Sequence, residues 1–128
     1  MINKEFDAIT KLDHPLIAEV LEVFLDENFV YFVSPFYTGG ELMDKIIDDE
    51  TKKDGGQSII KPLTEDAIKP IIYQTLRALN YLKSKGIIHR DMKPENIMLE
   101  SYKNLEQSLI KIIDFGYSLD LNKNLSDS

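Results

Sequence analysis

The sequence predicts an α+β fold, and three observations carry that prediction. Two runs rich in Val, Ile, Phe and Tyr, residues 16–25 and 29–34, flank Asp26-Glu27-Asn28 and read as antiparallel strands joined by a tight turn. Residues 64–85 have the cap, the apolar spacing and the terminal glycine of an amphipathic helix. After Gly86 come three short β-like runs, at 87–88, 97–99 and 110–113, separated by polar loops. With 128 residues and 14.7 kDa the chain has the size of one domain. Its 43% hydrophobic content supplies a core, and its 29% charged content keeps a globular chain in solution.

The elements follow in order. Ile2, Phe6, Ile9 and Leu12 carry helical spacing, so a helix is expected over 2–12, ended by His14-Pro15. The two strands come next, and then Gly39-Gly40 breaks the chain before an amphipathic segment at 41–49. The pattern vanishes from Glu50 to Pro62, which reads as a mobile surface insertion. Thr64 is a good N-cap with Glu65 and Asp66 in the first turn, and Ile68, Ile71, Ile72, Leu76, Leu79 and Leu82 form an apolar stripe. Pro70 is expected to kink the start of that helix, and Lys83, Lys85 and Gly86 to end it. The stretch from Tyr117 to Ser128 is polar and unpatterned and reads as a loop.

Composition narrows the function classes. The chain has no cysteine, which excludes disulfides and thiolate chemistry, and two histidines are too few for a histidine-based metal cluster. A net charge of −7 disfavours nucleic acid and anionic membrane as general partners. No apolar run approaches the ~20 residues of a transmembrane helix, and Met1 to Phe6 lack the features of a signal peptide. An intracellular, cytoplasmic protein is expected. Charge is uneven: seven acids oppose Lys4 and Lys11 within the first thirty residues, whereas Arg77, Lys83, Lys85, Arg90 and Lys93 lie close together. Such a basic spot suits a phosphate ligand or a solvated helix end.

The chemistry lies between the short strands. His89-Arg90-Asp91-Met92-Lys93-Pro94-Glu95-Asn96 packs a carboxylate, an ammonium and an amide into one segment, which Pro94 favours as a loop. Asp114-Phe115-Gly116 puts a second carboxylate at a strand end, with Gly116 allowing a sharp exit. A carboxylate and an amide oxygen are hard ligands suited to Mg²⁺, an ammonium suits a phosphate, and another carboxylate orients a hydroxyl. Together these groups point to phosphoryl transfer.

The joint pattern resembles the eukaryotic protein kinases, whose catalytic loop reads H-R-D-L-x-x-x-N and whose metal-binding turn reads D-F-G. The resemblance implies a protein-kinase-like fold, ATP and Mg²⁺ as cofactors, and Ser/Thr residues of a protein as substrate. On that mapping Asp91 is the catalytic base, Asn96 and Asp114 hold magnesium, and Lys93 contacts the γ-phosphate. Met92 replaces the common Leu, a change that conserves volume. Leu-Asp-His-Pro at 12–15, Glu-Val-Phe at 22–24, Gly-Gly-Glu-Leu at 39–42 and Lys-Ile-Ile-Asp-Phe-Gly at 111–116 are similar to the calcium- and calmodulin-dependent group, particularly the calcium-dependent kinases of protists and plants. The mapping places Glu5 at the αC glutamate and Ser34 at the gatekeeper position. The carbonyl of Pro35 and the N–H of Tyr37 would bond adenine, Glu41 would meet the ribose or a basic substrate residue, and Met98 would form the apolar floor under adenine. Ile9, Val20, His89 and Phe115 match the spine that couples αC to the metal turn; the same four residues also suit an ordinary core.

The resemblance divides the chain into a small-lobe part at 1–34, a hinge at 35–40 and a large-lobe part at 41–128. Ahead of Glu5 the sequence has no Gly-rich phosphate loop or strand lysine, and no A-P-E segment follows Gly116. The expectation is a truncated central part of a serine/threonine kinase, inactive alone and in need of missing segments or a partner chain to complete the fold. The alternative is a non-catalytic kinase remnant that binds a partner; a small-molecule kinase of related fold is disfavoured by the paired His-Arg-Asp and Asp-Phe-Gly. The spacing around 48–56 does not fit an EF-hand. Arg90 before Asp91 resembles kinases switched by activation-loop phosphorylation, with Ser118, Ser126 and Ser128 as candidate acceptors.

Overall fold

A computed structural model describes residues 6–48, 59–60 and 63–123 of the chain. The helix expected at 2–12 is, among these residues, the single turn α1 (Asp7–Thr10), which buries Ile9; residues 1–5 lie outside the described set. The hairpin forms with β1 (Glu22–Leu25) antiparallel to β2 (Val30–Val33), pairing Glu22 with Val33 and Leu25 with Val30. Its turn is built on Asp26, whose Oδ1 accepts from the N–H groups of Asn28 and Phe29, both at 2.7 Å, and whose Oδ2 accepts from the Tyr31 hydroxyl at 2.7 Å. The Tyr31 bond first, then the two amides, hold the Asp26 carboxyl below the usual carboxylate range.

The first strand is shorter than its composition suggests, because residues 16–18 have a different partner. Ile112 N donates to Leu16 O and Ala18 N donates to Ile112 O, both at 2.9 Å, so this segment runs parallel to the strand that ends at the Asp114 turn. Leu16, Ile17 and Ala18 are buried there, whereas every residue of β1 and β2 except Val23 is exposed. Burial decides the pairing.

A three-stranded sheet forms the centre: β3 (Gly40–Glu41), β7 (Ile97–Leu99) and β8 (Ile110–Ile112), antiparallel and in that order. Leu99, Ile110 and Ile112 are fully enclosed. The segment expected at 41–49 is the short helix α2 (Leu42–Ile46) followed by β4 (Ile47–Asp48), which pairs with β5 (Ile59–Ile60). Most of the insertion read from sequence at 50–62 lies outside the described residues.

Helix α3 (Glu65–Ser84) runs unbroken through Pro70, which lacks only the donor that would have reached Asp66. Thr64 caps it, accepting from Ala67 N. The buried face is Ile71, Ala78 and Leu82, and Gln74 ties the helix to the sheet by donating to Ser108 O and accepting from Ile110 N, each at 3.0 Å. Only part of the predicted stripe is therefore core. Ile68, Ile72 and Leu76 point away from β8 and remain exposed, at 38%, 52% and 61%. A stripe this wide turns one edge toward the sheet and leaves the other edge outside it.

Gly86, at φ +71°, reverses the chain after α3 as a left-handed terminal residue should. The tail expected as a loop contributes a strand instead: β9 (Leu119–Asp120) pairs antiparallel with β6 (Ile87–Ile88), and Asn122 Nδ2 donates to the Lys85 carbonyl at the end of α3. Two residues are too few to show alternation, so the strand is invisible in the pattern. Among the described residues no helix is long and apolar enough to cross a membrane.

Two changes test these contacts. Gly39 N donates to Leu99 O at 3.1 Å, and a Cβ at Gly39 would stand 2.5 Å from both the Leu99 Cβ and its carbonyl oxygen. Gly39→Ala should therefore cost about 1–3 kcal/mol by forcing β3 from β7, seen as a lower urea midpoint with unchanged slope. His14 stacks on Tyr81 at 4.7 Å and its Nδ1 accepts from Leu16 N at 3.1 Å. Burial, then the charge of Arg77, lowers its pKa from 6.5; Lys111 acts in the same direction, and Asp13 opposes them. The unfolded state then binds this proton more readily than the folded one, so the contribution is complete above the unfolded pKa and is lost as pH falls through it. The melting temperature should drop more between pH 7.5 and 5 for the native sequence than for His14→Asn, which keeps an acceptor for Leu16 but does not titrate.

Candidate functional site

The site is assembled by one histidine. His89 is 2% exposed and follows β6 directly. Its Nδ1 accepts from Asp91 N at 3.2 Å, so the ring proton sits on Nε2, which donates to the Ile113 carbonyl at 2.9 Å. One ring thus joins the loop bearing Asp91 to the residue before Asp114, while its face meets Phe115 at 4.9 Å between centroids.

The loop closes on itself through Asn96. Its Nδ2 donates to the Asp91 carbonyl at 2.9 Å and to Asp91 Oδ2 at 3.0 Å, and its N–H donates to Lys93 O at 3.0 Å. A turn of 3₁₀ helix at Pro94–Asn96 provides that geometry, with Pro94 at its start, where no backbone donor is missed. Lys93 Nζ lies 3.3 Å from Asp91 Oδ2. The Asn96 carbonyl accepts from Ile113 N at 3.0 Å, a second tie between the loop and the Asp114 strand end.

Among the described residues, two other than glycine take the left-handed conformation that side chains rarely adopt: Arg90 at φ +68° and Asp114 at φ +59°. Each swings the chain sharply at a strand end. Arg90 Nε donates to the Tyr117 carbonyl, linking the Asp91 loop to the segment after Gly116. Asp114 stays exposed, with Oδ1 accepting from Gly116 N at 3.2 Å.

The remaining predicted residues fall into two groups around this centre. Ser34, Ile9, Val20, Phe115 and Asp114 line one cavity of about 160 Å³. Pro35 and Tyr37 line another, of about 570 Å³, with Val20 on its wall. The Pro35 carbonyl and the Tyr37 N–H enter no hydrogen bond among the described residues, so both stay available. Glu41 and Met98 stand opposite each other in the β3–β7 register. Glu5, Ser126 and Ser128 lie outside the described residues, and Ser118 donates its N–H to Phe115 O at 3.0 Å.

Asn96 and Asp114 fit a hard divalent cation. The amide NH₂ of Asn96 is spent on Asp91, which turns its carbonyl oxygen away from that residue, and the Asp114 carboxylate projects from the adjoining strand end. Among the described residues no cluster of three or more His, Cys, Asp and Glu side chains could hold a metal.

Comparison with known proteins decides what this constellation belongs to. The family model described as protein kinase domain matches residues 1–127. The chain belongs to the protein kinase family. It is 40% identical over 126 residues to calcium-dependent protein kinase 4 of Plasmodium falciparum, an alignment covering 97% of this chain and 22% of the relative. It is 41% identical over 120 residues to calcium-dependent protein kinase 3 of Plasmodium yoelii yoelii, covering 94% and 20%. It is 35% identical over 117 residues to CBL-interacting serine/threonine-protein kinase 3 of Arabidopsis thaliana, covering 91% and 23%. The chain therefore spans about a fifth of the length of the curated relatives it matches.

Within this kinase segment the sequence reading did not single out the Tyr117 anchor of Arg90, the Tyr37 hydroxyl that accepts from Glu19 N, or the contacts of Lys111. No local pattern signals them, since each joins segments far apart in the chain. The His89 bridge carries its own test. Nitrogen NMR should find Nδ1 without a proton and Nε2 protonated, and His89→Phe should keep the ring packing yet leave two backbone groups unpaired, at about 1–3 kcal/mol each.

Proposed function

We propose that this chain carries the hinge, catalytic loop and metal turn of a serine/threonine protein kinase, which transfers the γ-phosphoryl group of ATP to protein hydroxyls. The supporting observation is the Asp91 carboxylate, fixed by Asn96 and Lys93 in a loop that His89 fastens to the Asp114 strand end. The names of the relatives support Ser/Thr specificity. In this reading residues 1–34 belong to the small lobe, 35–40 are the hinge and 41–128 belong to the large lobe.

The roles are those that the resemblance to protein kinases implies, set here on the geometry of this chain. Asp91 Oδ2 is held by the Asn96 amide, and Oδ1 has no hydrogen bond among the described residues. That oxygen accepts the proton of the substrate hydroxyl as the hydroxyl oxygen attacks the γ-phosphorus and the bond from that phosphorus to the β–γ bridging oxygen breaks, with ADP as the leaving group. Lys93 supplies positive charge beside Asp91, where the transferred phosphoryl group gathers negative charge. Asn96 Oδ1 and Asp114 would hold Mg²⁺, which would neutralise phosphate charge. Pro35 O and Tyr37 N–H bond adenine, Ser34 stands at the gatekeeper position, Glu41 meets ribose or a basic substrate residue, and Met98 lies under the base. Ile9, Val20, His89 and Phe115 stack as the spine behind them. The proposed setting is cytoplasmic, and the net charge of −7 argues against nucleic-acid and membrane partners.

Asp91→Asn in the native polypeptide tests the central assignment. Turnover should fall by at least ~100-fold, the scale of a lost general base, with ATP affinity changed less than about twofold. A rate near that of the native sequence would remove Asp91 as the base. Native protein that binds ATP and transfers no phosphate would favour a partner-binding remnant.

A further inference from the structure

Lys111 lies on β8 three residues before Asp114, and its side chain is only 13% exposed despite its charge. Its ammonium meets three separate stretches of chain. Nζ donates to the Pro15 carbonyl at 2.7 Å, lies 3.4 Å from Glu100 Oε1 just past β7, and stands 5.7 Å above the centre of the Tyr37 ring. The Tyr37 hydroxyl in turn accepts from Glu19 N at 3.2 Å, fastening the same ring to the segment that leads into β1.

These contacts cross an open space. Pro15, Glu19, Pro35, Tyr37, Glu100 and Lys111 all line the cavity of about 570 Å³ behind residues 35–37. Apolar packing does not fill that gap, so its width is held by whatever spans it. On the far side the chain is fixed firmly, since Gly39 N donates to Leu99 O and Thr38 Oγ1 donates to Glu100 O. The near side, residues 35–37, has Lys111 and the Tyr37 hydroxyl as its links to the 15–19 segment. An ammonium provides three donors on a long stem that tolerates burial, which suits it to bridging a gap of this kind.

We propose that Lys111 is a positioning residue for nucleotide binding: a strut across this cavity that fixes residues 35–37 relative to Pro15 and β7, and so sets where Pro35 O and Tyr37 N–H present themselves to adenine. The inference rests on the hinge assignment above and adds a residue that touches no substrate. Its effect belongs to binding, because the Asp91 loop is held separately by His89 and Asn96.

The test uses Lys111→Met, which conserves the stem and removes the donors, and Lys111→Arg, which restores them. In the native polypeptide Lys111→Met should raise the ATP dissociation constant about tenfold and the KM for ATP with it, leave kcat within about twofold, and be largely rescued by Lys111→Arg. Amide exchange at Glu19 should quicken about tenfold in the Met variant without nucleotide present, because the Tyr37 ring loses its support. If the Met variant does not fold, Tyr37→Leu, which removes the ring and hydroxyl but keeps the backbone, should weaken ATP in the same way. Unchanged ATP affinity and unchanged Glu19 exchange in either folded variant would overturn the proposal, as would equal losses in kcat and affinity that track thermal stability. Native protein that binds no ATP would refute the kinase reading itself, and the Glu19 exchange would still decide whether Lys111 is the strut.

Discussion

The arrangement depends on a single imidazole that is bonded through both nitrogens. A backbone amide fixes Nδ1 as acceptor, and this makes Nε2 the donor to a carbonyl on another strand. The ring therefore sets both the orientation of its own loop and the separation of that loop from β8. A second tie, from Ile113 N to the Asn96 carbonyl, acts beside it. Asn96 holds Asp91 from within the same loop, and Ile113, the residue before Asp114, is tied to both His89 and Asn96. Burial makes this bracing stiff, because in a dry environment a broken hydrogen bond is not replaced by water.

Legibility in the sequence followed the range of the interactions. The hairpin turn at Asp26, the capped helix from Thr64 and the strands on either side of the Asp91 loop are encoded within a few residues, and they form where expected. The misses involve partners distant in sequence. Residues 16–18 are as β-prone as residues 22–25, and the choice of Ile112 as partner depends on a strand almost a hundred positions away. β9 is two residues long and exists because β6 lies beside it. Likewise the apolar stripe of α3 reads correctly as a stripe, but which edge meets the sheet is decided by Gln74 and Ala78 packing on β8.

The candidate site shows the same division. The identities of Asp91, Lys93, Asn96 and Asp114 are local motifs, and the bonds of His89 and Asn96 to Ile113 tie their two segments together. Their supports were not visible as supports. Nothing around Tyr117 indicates that its carbonyl will receive Arg90, and nothing around Lys111 indicates that its ammonium will lie between Pro15 and Tyr37. Chemistry is written in side chains, whereas positioning is written in contacts that exist only after folding.

The left-handed backbone at Arg90 and Asp114 has an evolutionary consequence. A core position such as Ile110 admits several aliphatic residues of similar volume, so it can wander through sequence space by small steps. At 90 and 114 the conformation itself filters the alphabet. Glycine and asparagine enter at little steric cost, while valine, isoleucine and threonine clash with their own backbone. Even a descendant freed from all need for catalysis would keep a narrow range of residues at these two positions for as long as it kept this fold. Drift there would lead toward glycine and asparagine, while Asp91, Lys93 and Asn96, which have no such backbone filter, would vary more freely.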